Sequence, residues 1–124
     1  MNTILVVDDR PDARYALVRA LTGAGYDVRE TATGRDALRL ARMFPDLIVL
    51  DIALQDIDGF EVCRRLKMDD VTRSIPVLHK TAAYGDPEHR RQGLESGADE
   101  YLTEPIDART LVDTVKRLLA RSPS

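Results

Sequence analysis

Runs of apolar residues alternate with apolar positions at helical spacing along the whole chain. Thr3–Val7 is continuous and rich in β-branched residues, the pattern of a strand buried on both faces. Pro11 suits the first helical position, with Ala13, Ala16, Leu17, Ala20 and Leu21 following at helical spacing and Gly23 and Gly25 ending the helix. In Tyr26–Glu30, Tyr26 and Val28 alternate with Asp27 and Arg29, which predicts a half-exposed edge strand. Thr33 and Asp36 form a capping box with Asp in place of Glu, opening a helix that carries Ala37, Leu38, Leu40 and Ala41. Leu47–Leu50 is a second fully apolar run. Asp58 and Glu61 are expected to cap a third helix, with Phe60, Cys63 and Leu66 facing inward. Ile75–Leu78 reads as a fourth strand that tolerates Pro76 near its start. Asp86 and Pro87 open a fourth helix that Gly97 closes, and Tyr101-Leu102 is a short fifth strand. Asp107 caps a last helix striped by Leu111, Val115, Leu118 and Leu119.

Five strand–helix units imply an α/β fold, with parallel strands joined by right-handed crossovers. The two most apolar strands belong at the centre and the alternating one at an edge. A doubly wound five-stranded parallel sheet of order 2-1-3-4-5 satisfies both. The 124 residues suit one domain, read as 1–121, with 122–124 as a tail or the start of a linker.

Composition narrows the function. With 44% hydrophobic and 31% charged residues of mixed sign, the chain is not globally disordered. A net charge of −3, with scattered basic residues, matches a phosphate backbone poorly, so no direct nucleic-acid binding is expected. No apolar stretch approaches a membrane span, and the N-terminus lacks signal-peptide features. The single cysteine, Cys63, has no internal disulfide partner, so a cytoplasmic location without membrane partners is expected, with Cys63 a small core residue.

In a sheet of this order, ligands bind beyond the carboxyl ends of strands one and three. Asp8 and Asp9 directly follow strand one, and Asp51 directly follows strand three. Thr81 and Glu104 follow strands four and five. Three adjacent carboxylates repel one another unless a cation intervenes, and oxygen-only donors favour a hard ion such as Mg²⁺. Neither a P-loop nor a dinucleotide fingerprint is present. Each Asp alone could simply cap a helix or begin a turn, but three at two adjacent strand ends argue for a site.

The chain resembles the receiver domain of two-component response regulators over essentially its whole length. The matching segments are Ile4–Asp9, Leu47–Asp51, Asp58–Glu61, Ile75–Leu78 with Thr81-Ala82, Gly97–Asp99, and Tyr101–Thr103 with Pro105. The resemblance implies a flavodoxin-like (βα)₅ fold and Mg²⁺-dependent transfer of phosphate from a phosphohistidine donor to Asp51. It implies Asp9, Asp51 and the Ala53 carbonyl as metal ligands, with Asp8 acting mostly through metal-bound water. Thr81 would contact the phosphoryl group, and Tyr101 would turn from exposed to buried as the switch. Implied partners are a histidine kinase or histidine phosphotransfer protein, a downstream effector domain or protein, and a second copy of the chain as a homodimer. The domain would be a signalling module and not a multiple-turnover enzyme.

Two positions depart from the family pattern. Glu104 stands where the family carries Lys before Pro, which reverses a charge beside the expected phosphoryl group. As a fourth acid facing the site, it would raise the cost of ionising the others. Strand alternation directs Lys80 away from the side of Thr81, which argues against Lys80 as a compensating cation. Gln55 replaces the usual Pro after the acceptor, which removes a fixed φ from that loop. The alternative reading is a pseudo-receiver that acts through phosphorylation-independent protein contact. His79 is expected to be packed and hydrogen-bonded, and Arg90-Arg91 to form a solvated helix face.

Overall fold

A computed structural model describes residues 2–81 and 87–121. The expected Asp86 cap and the 122–124 tail lie outside the described residues, as do the side chains of His89 and Arg90. The first strand, β1 (Thr3–Val7), leads into helix α1 (Pro11–Gly23), then β2 (Asp27–Thr31) and α2 (Gly34–Ala41). β3 (Leu47–Asp51) and α3 (Gly59–Met68) follow, then β4 (Val77–Thr81), α4 (Pro87–Glu95), β5 (Glu100–Thr103) and α5 (Ala108–Arg121). All four strand pairings are parallel, and the order is β2-β1-β3-β4-β5.

Period-2 alternation of apolar residues divides the core in two. Leu5, Val7, Ile48, Leu50 and Val77 point to one face, where Ala37 and Ala41 of α2 and Val62, Cys63 and Leu66 of α3 cover them. Ile4, Val6, Leu47, Val49 and Leu78 point to the other face, beneath Leu17 and Leu21 of α1 and Leu111, Val115 and Leu118 of α5. Every residue of β3 is buried, whereas β2 is half exposed at its edge.

The helix starts follow local chemistry. Thr33 accepts a hydrogen bond from the Asp36 amide at 3.1 Å, and Asp107 accepts one from the Thr110 amide at 2.7 Å. Asp58 caps α3 through the Phe60 amide at 2.7 Å. Glu61 does not cap; it pairs along the solvent face with Arg64 and Arg65. Arg91 likewise pairs with Glu88 and Glu95 on an exposed face.

Two strands start later than the sequence reading placed them, while β3 runs on to Asp51 and β5 extends by one residue at each end. β2 starts one residue later, at Asp27, because the Tyr26 amide is used in closing α1 by bonding the Leu21 carbonyl at 3.2 Å. β4 starts at Val77 and not Ile75, because the Ile75 amide bonds back to Thr72 and Pro76 has no amide to donate. It then runs through His79, Lys80 and Thr81, all of them buried. Polar residues extend this strand because each finds partners inside the fold. His79 Nδ1 meets the Leu50 carbonyl at 3.2 Å, and Nε2 lies 3.3 Å from Ser96 Oγ. The Phe60 ring packs edge-on to the imidazole at 5.3 Å.

One glycine is fixed by close approach. A Cβ on Gly59 would lie 2.3 Å from the Asp51 carbonyl oxygen and 2.5 Å from Ile52 Cα. The α3 N-terminus therefore rests directly on the end of β3, with the Gly59 amide bonded to the Ile52 carbonyl at 3.0 Å.

Gly59→Ala is expected to cost about 1–3 kcal/mol, the usual range for overpacking against an unyielding neighbour. Urea unfolding would measure it, and an unchanged midpoint would contradict the close approach. Burial pushes the His79 pKa down from 6.5 to about 4. The unfolded chain therefore takes up a proton as pH falls below 6.5 while the folded chain stays neutral, and stability declines down to pH 4. The decline is roughly 1.4 kcal/mol per pH unit, on the order of 3 kcal/mol in all. Melting curves of the wild type and His79→Phe over this pH range should show the smaller acid dependence in the variant.

Candidate functional site

Strand register aligns the ends of the central strands. Val7 pairs with Leu50, Leu50 with His79, and His79 with Tyr101. One step further, Asp51 pairs with Lys80, and Lys80 with Leu102, while Asp8 follows Val7 at the end of β1. Asp8, Asp51 and Lys80 thus share the carboxyl-end rim on the α1 and α5 side. His79 and Tyr101 lie on the opposite face.

Asp8 is fully buried. Its Oδ1 accepts from the Arg10 amide at 3.0 Å, and its Oδ2 accepts from Lys80 Nζ at 2.5 Å. Asp9 is half-buried, and Asp51 is 4% exposed. Carboxylate oxygens of Asp8, Asp9 and Asp51 all lie within 4.8 Å of one another. Burial pushes the Asp51 pKa up; the Lys80 charge opposes this, and the negative charge of Asp8 adds to it. Three carboxylate donors at this spacing, two of them buried, fit a small hard cation.

The loop after β3 is tied at several points. The Ala53 amide donates to Asp51 Oδ1 at 3.3 Å, which places Ala53 beside the acidic cluster. Asp56 caps α2 by accepting from the amides of Gly34 and Arg35, both at 2.9 Å. Gln55 is exposed in this loop.

Glu104 does not face the cluster as an unpaired fourth acid. It meets Lys80 Nζ at 2.6 Å and Arg10 Nη2 at 2.7 Å. Burial works against its carboxylate, but the two cations outweigh it and hold the pKa below the ordinary value. Lys80 does leave β4 on the side away from Thr81, as expected, but the inference that it could not compensate Glu104 is corrected. Alternation separates Lys80 from Thr81 across the sheet plane, but at a strand end it delivers Lys80 to the side occupied by Asp8 and Asp51. Burial disfavours the Lys80 ammonium, yet Asp8 and Glu104 raise its pKa above the ordinary value. Sequence reasoning missed the full cation set of Lys80, Arg10 and Arg14, the last holding the end of β1 by donating to the Asp8 carbonyl at 2.8 Å. Its available signal was a lysine inside an otherwise buried strand.

Thr81 is buried at the end of β4, and its carbonyl accepts from the Glu104 amide at 2.8 Å. Tyr101 is 3% exposed, so its ring is already buried rather than exposed at rest. A Cβ on Gly93 would come within 2.7 Å of Tyr101 Cδ2, so the ring occupies the space that α4 leaves at that glycine.

Residues 4–116 match the response regulator receiver domain family. The chain is 43% identical to the DNA-binding dual master transcriptional regulator RpaA of Synechocystis over 98% of its length and 51% of that protein's. It is 48% identical to the response regulator PleD of Caulobacter vibrioides over 93% of its length and 25% of that protein's. It thus spans about half or less of these longer relatives, whereas it covers 99% of the protein PilH of Pseudomonas aeruginosa at 36% identity. A response regulator from Chloroflexus aurantiacus superposes with a TM-score of 0.93 at 39% identity, covering 97% of this chain and 98% of that one. The receiver domain of a sensor histidine kinase from Pseudomonas aeruginosa, with magnesium coordinated in its active-site cleft, gives 0.86 at 29% identity over 96% and 98% of the two chains. Among the described residues no helix is long and apolar enough to cross a membrane. With the 2-1-3-4-5 sheet and the acidic rim in place, the chain belongs to the response regulator receiver domain family, the signalling module of two-component systems.

Proposed function

We propose that this chain accepts a phosphoryl group on Asp51 from a phosphohistidine donor, a cytoplasmic histidine kinase or histidine phosphotransfer protein. The supporting observation is the placement of buried Asp51 with oxygens of Asp8 and Asp9 within 4.8 Å. An Asp51 carboxylate oxygen attacks phosphorus, the phosphorus–nitrogen bond breaks, and the departing imidazole keeps the electron pair and takes a proton from solvent. Asp9, Asp51 and the Ala53 carbonyl would hold Mg²⁺, with Asp8 acting through metal-bound water; bound there, the ion neutralises charge on donor and nucleophile. The Thr81 hydroxyl donates to a phosphoryl oxygen, and its movement alters the space beside Tyr101. Because Tyr101 is already inward, this movement acts on its packing against Gly93. The altered surface is then read by an effector domain, a separate protein or a second copy of the chain. Residues 1–121 are taken as the domain that does this.

Intact-mass analysis after treatment with Mg²⁺ and acetyl phosphate should show one added phosphate, absent in Asp51→Asn. Equal labelling of the variant would remove Asp51 as acceptor, and an unlabelled wild type would favour the pseudo-receiver.

Metal titration should show a larger loss of Mg²⁺ affinity in Asp9→Asn than in Asp8→Asn. Both Asp8 oxygens already accept hydrogen bonds, so a direct bond through Asp9 is the greater loss, about tenfold or more. The reverse order would exchange the two roles.

A further inference from the structure

We propose that Lys80 is the cation that binds the phosphoryl group on Asp51, and that Glu104 is a placeholder anion which Lys80 gives up when that group arrives. The proposal rests on Asp51 being the acceptor. Three observations carry it.

Lys80 lies directly beside Asp51 in strand register, and its side chain turns to the rim that holds Asp8. A phosphoryl group on Asp51 adds roughly two negative charges and strong acceptor oxygens at that rim. The nearby buried ammonium is the natural donor to them.

The ammonium is also held in two unequal ways. Asp8 is fully buried at the end of β1 and also bonded by the Arg10 amide, whereas the Glu104 side chain is 27% exposed at the groove between α1 and the segment after β5. Of the two carboxylates on Lys80, Glu104 can withdraw toward water at less cost.

Finally, Glu104 has a second partner ready. Arg10 holds it at 2.7 Å from the loop before α1, so release from Lys80 leaves Glu104 paired. The exchange swaps a carboxylate oxygen for a phosphoryl oxygen on one ammonium, and no proton need move. It also carries the arrival of the phosphoryl group to Arg10 and Glu104, on the opposite side of the sheet from Thr81 and Tyr101.

Yield and lifetime of phosphorylated Asp51 in saturating Mg²⁺, with acetyl phosphate supplied and then removed, test this in the full chain. Glu104→Gln deletes the competing charge and should raise yield or lifetime about threefold or more. Lys80→Met should lower them about tenfold or more, the scale of a lost charge-assisted hydrogen bond. Lys80→Met with Glu104→Lys returns a cation to the rim from the segment after β5 and should recover most of that loss, which a purely structural role for Lys80 would not predict. If Lys80→Met does not fold, as judged by circular dichroism, the Glu104→Gln result decides. Wild-type kinetics in Glu104→Gln or in a folded Lys80→Met overturn the proposal. A wild-type chain that takes no phosphate, or takes it equally in Asp51→Asn, instead overturns the acceptor assignment and this inference with it.

Discussion

The ion pair between Asp8 and Lys80 is the constraint on which the site's geometry turns. Both side chains are almost wholly removed from water, 0% and 3% exposed. Such burial costs several kcal/mol per ion, and only a close partner offsets it. The pair therefore does little to favour the fold over an apolar alternative, but it fixes which ends of β1 and β4 must meet. Arg14 on the Asp8 carbonyl and the Arg10 amide on Asp8 Oδ1 hold the other sides of the same residue. Asp51, on the strand between β1 and β4, is left facing this fixed pair.

Charge balance follows from that arrangement. With Arg14 paired to Glu30 at 3.0 Å, Asp8, Asp9, Asp51 and Glu104 bring four negative charges, and Lys80 and Arg10 bring two positive ones. The remaining two match one divalent cation. Glu104 taken alone looks like a charge reversal that disables the site. With Lys80 and Arg10 both counted, the rim holds the same net charge as three aspartates with a single lysine and no glutamate. The departure at Glu104 and the lysine on β4 are thus two parts of one arrangement.

The fold was legible in the sequence wherever burial was apolar. Thr3–Val7 and Leu47–Leu50 could only be central strands, and the alternation around Val28 could only suit an edge. The caps at Thr33, Asp58 and Asp107 were legible because a side-chain oxygen two or three residues before an amide is local chemistry. β4 was misplaced because His79, Lys80 and Thr81 break the apolar pattern, and their partners are distant in sequence: Leu50, Ser96, Asp8 and Glu104. The carboxylates of the rim were legible from their positions after strands, but the cation was not. Alternation gives the face a side chain leaves from, whereas a long lysine at a strand end reaches whatever lies at the rim on that face.

The sheet itself separates what the two faces of β4 can transmit. Lys80 and Thr81 are neighbours in sequence but leave the strand on opposite sides. Lys80 reaches Glu104, Arg10 and the start of α1. Thr81 lies on the side of Tyr101, whose ring fits against Gly93 of α4. On the proposed phosphorylation, a charge placed on Asp51 pulls on both residues at once, because both stand at the same rim. The Thr81 side changes packing around a buried aromatic ring, which alters shape with little change of charge. The Lys80 side, on the proposed exchange, hands Glu104 over to Arg10 alone, which redistributes charge with little change of shape. One chemical event can therefore be read in two different ways on the two faces of the domain, and a partner specific for either face need not sense the other.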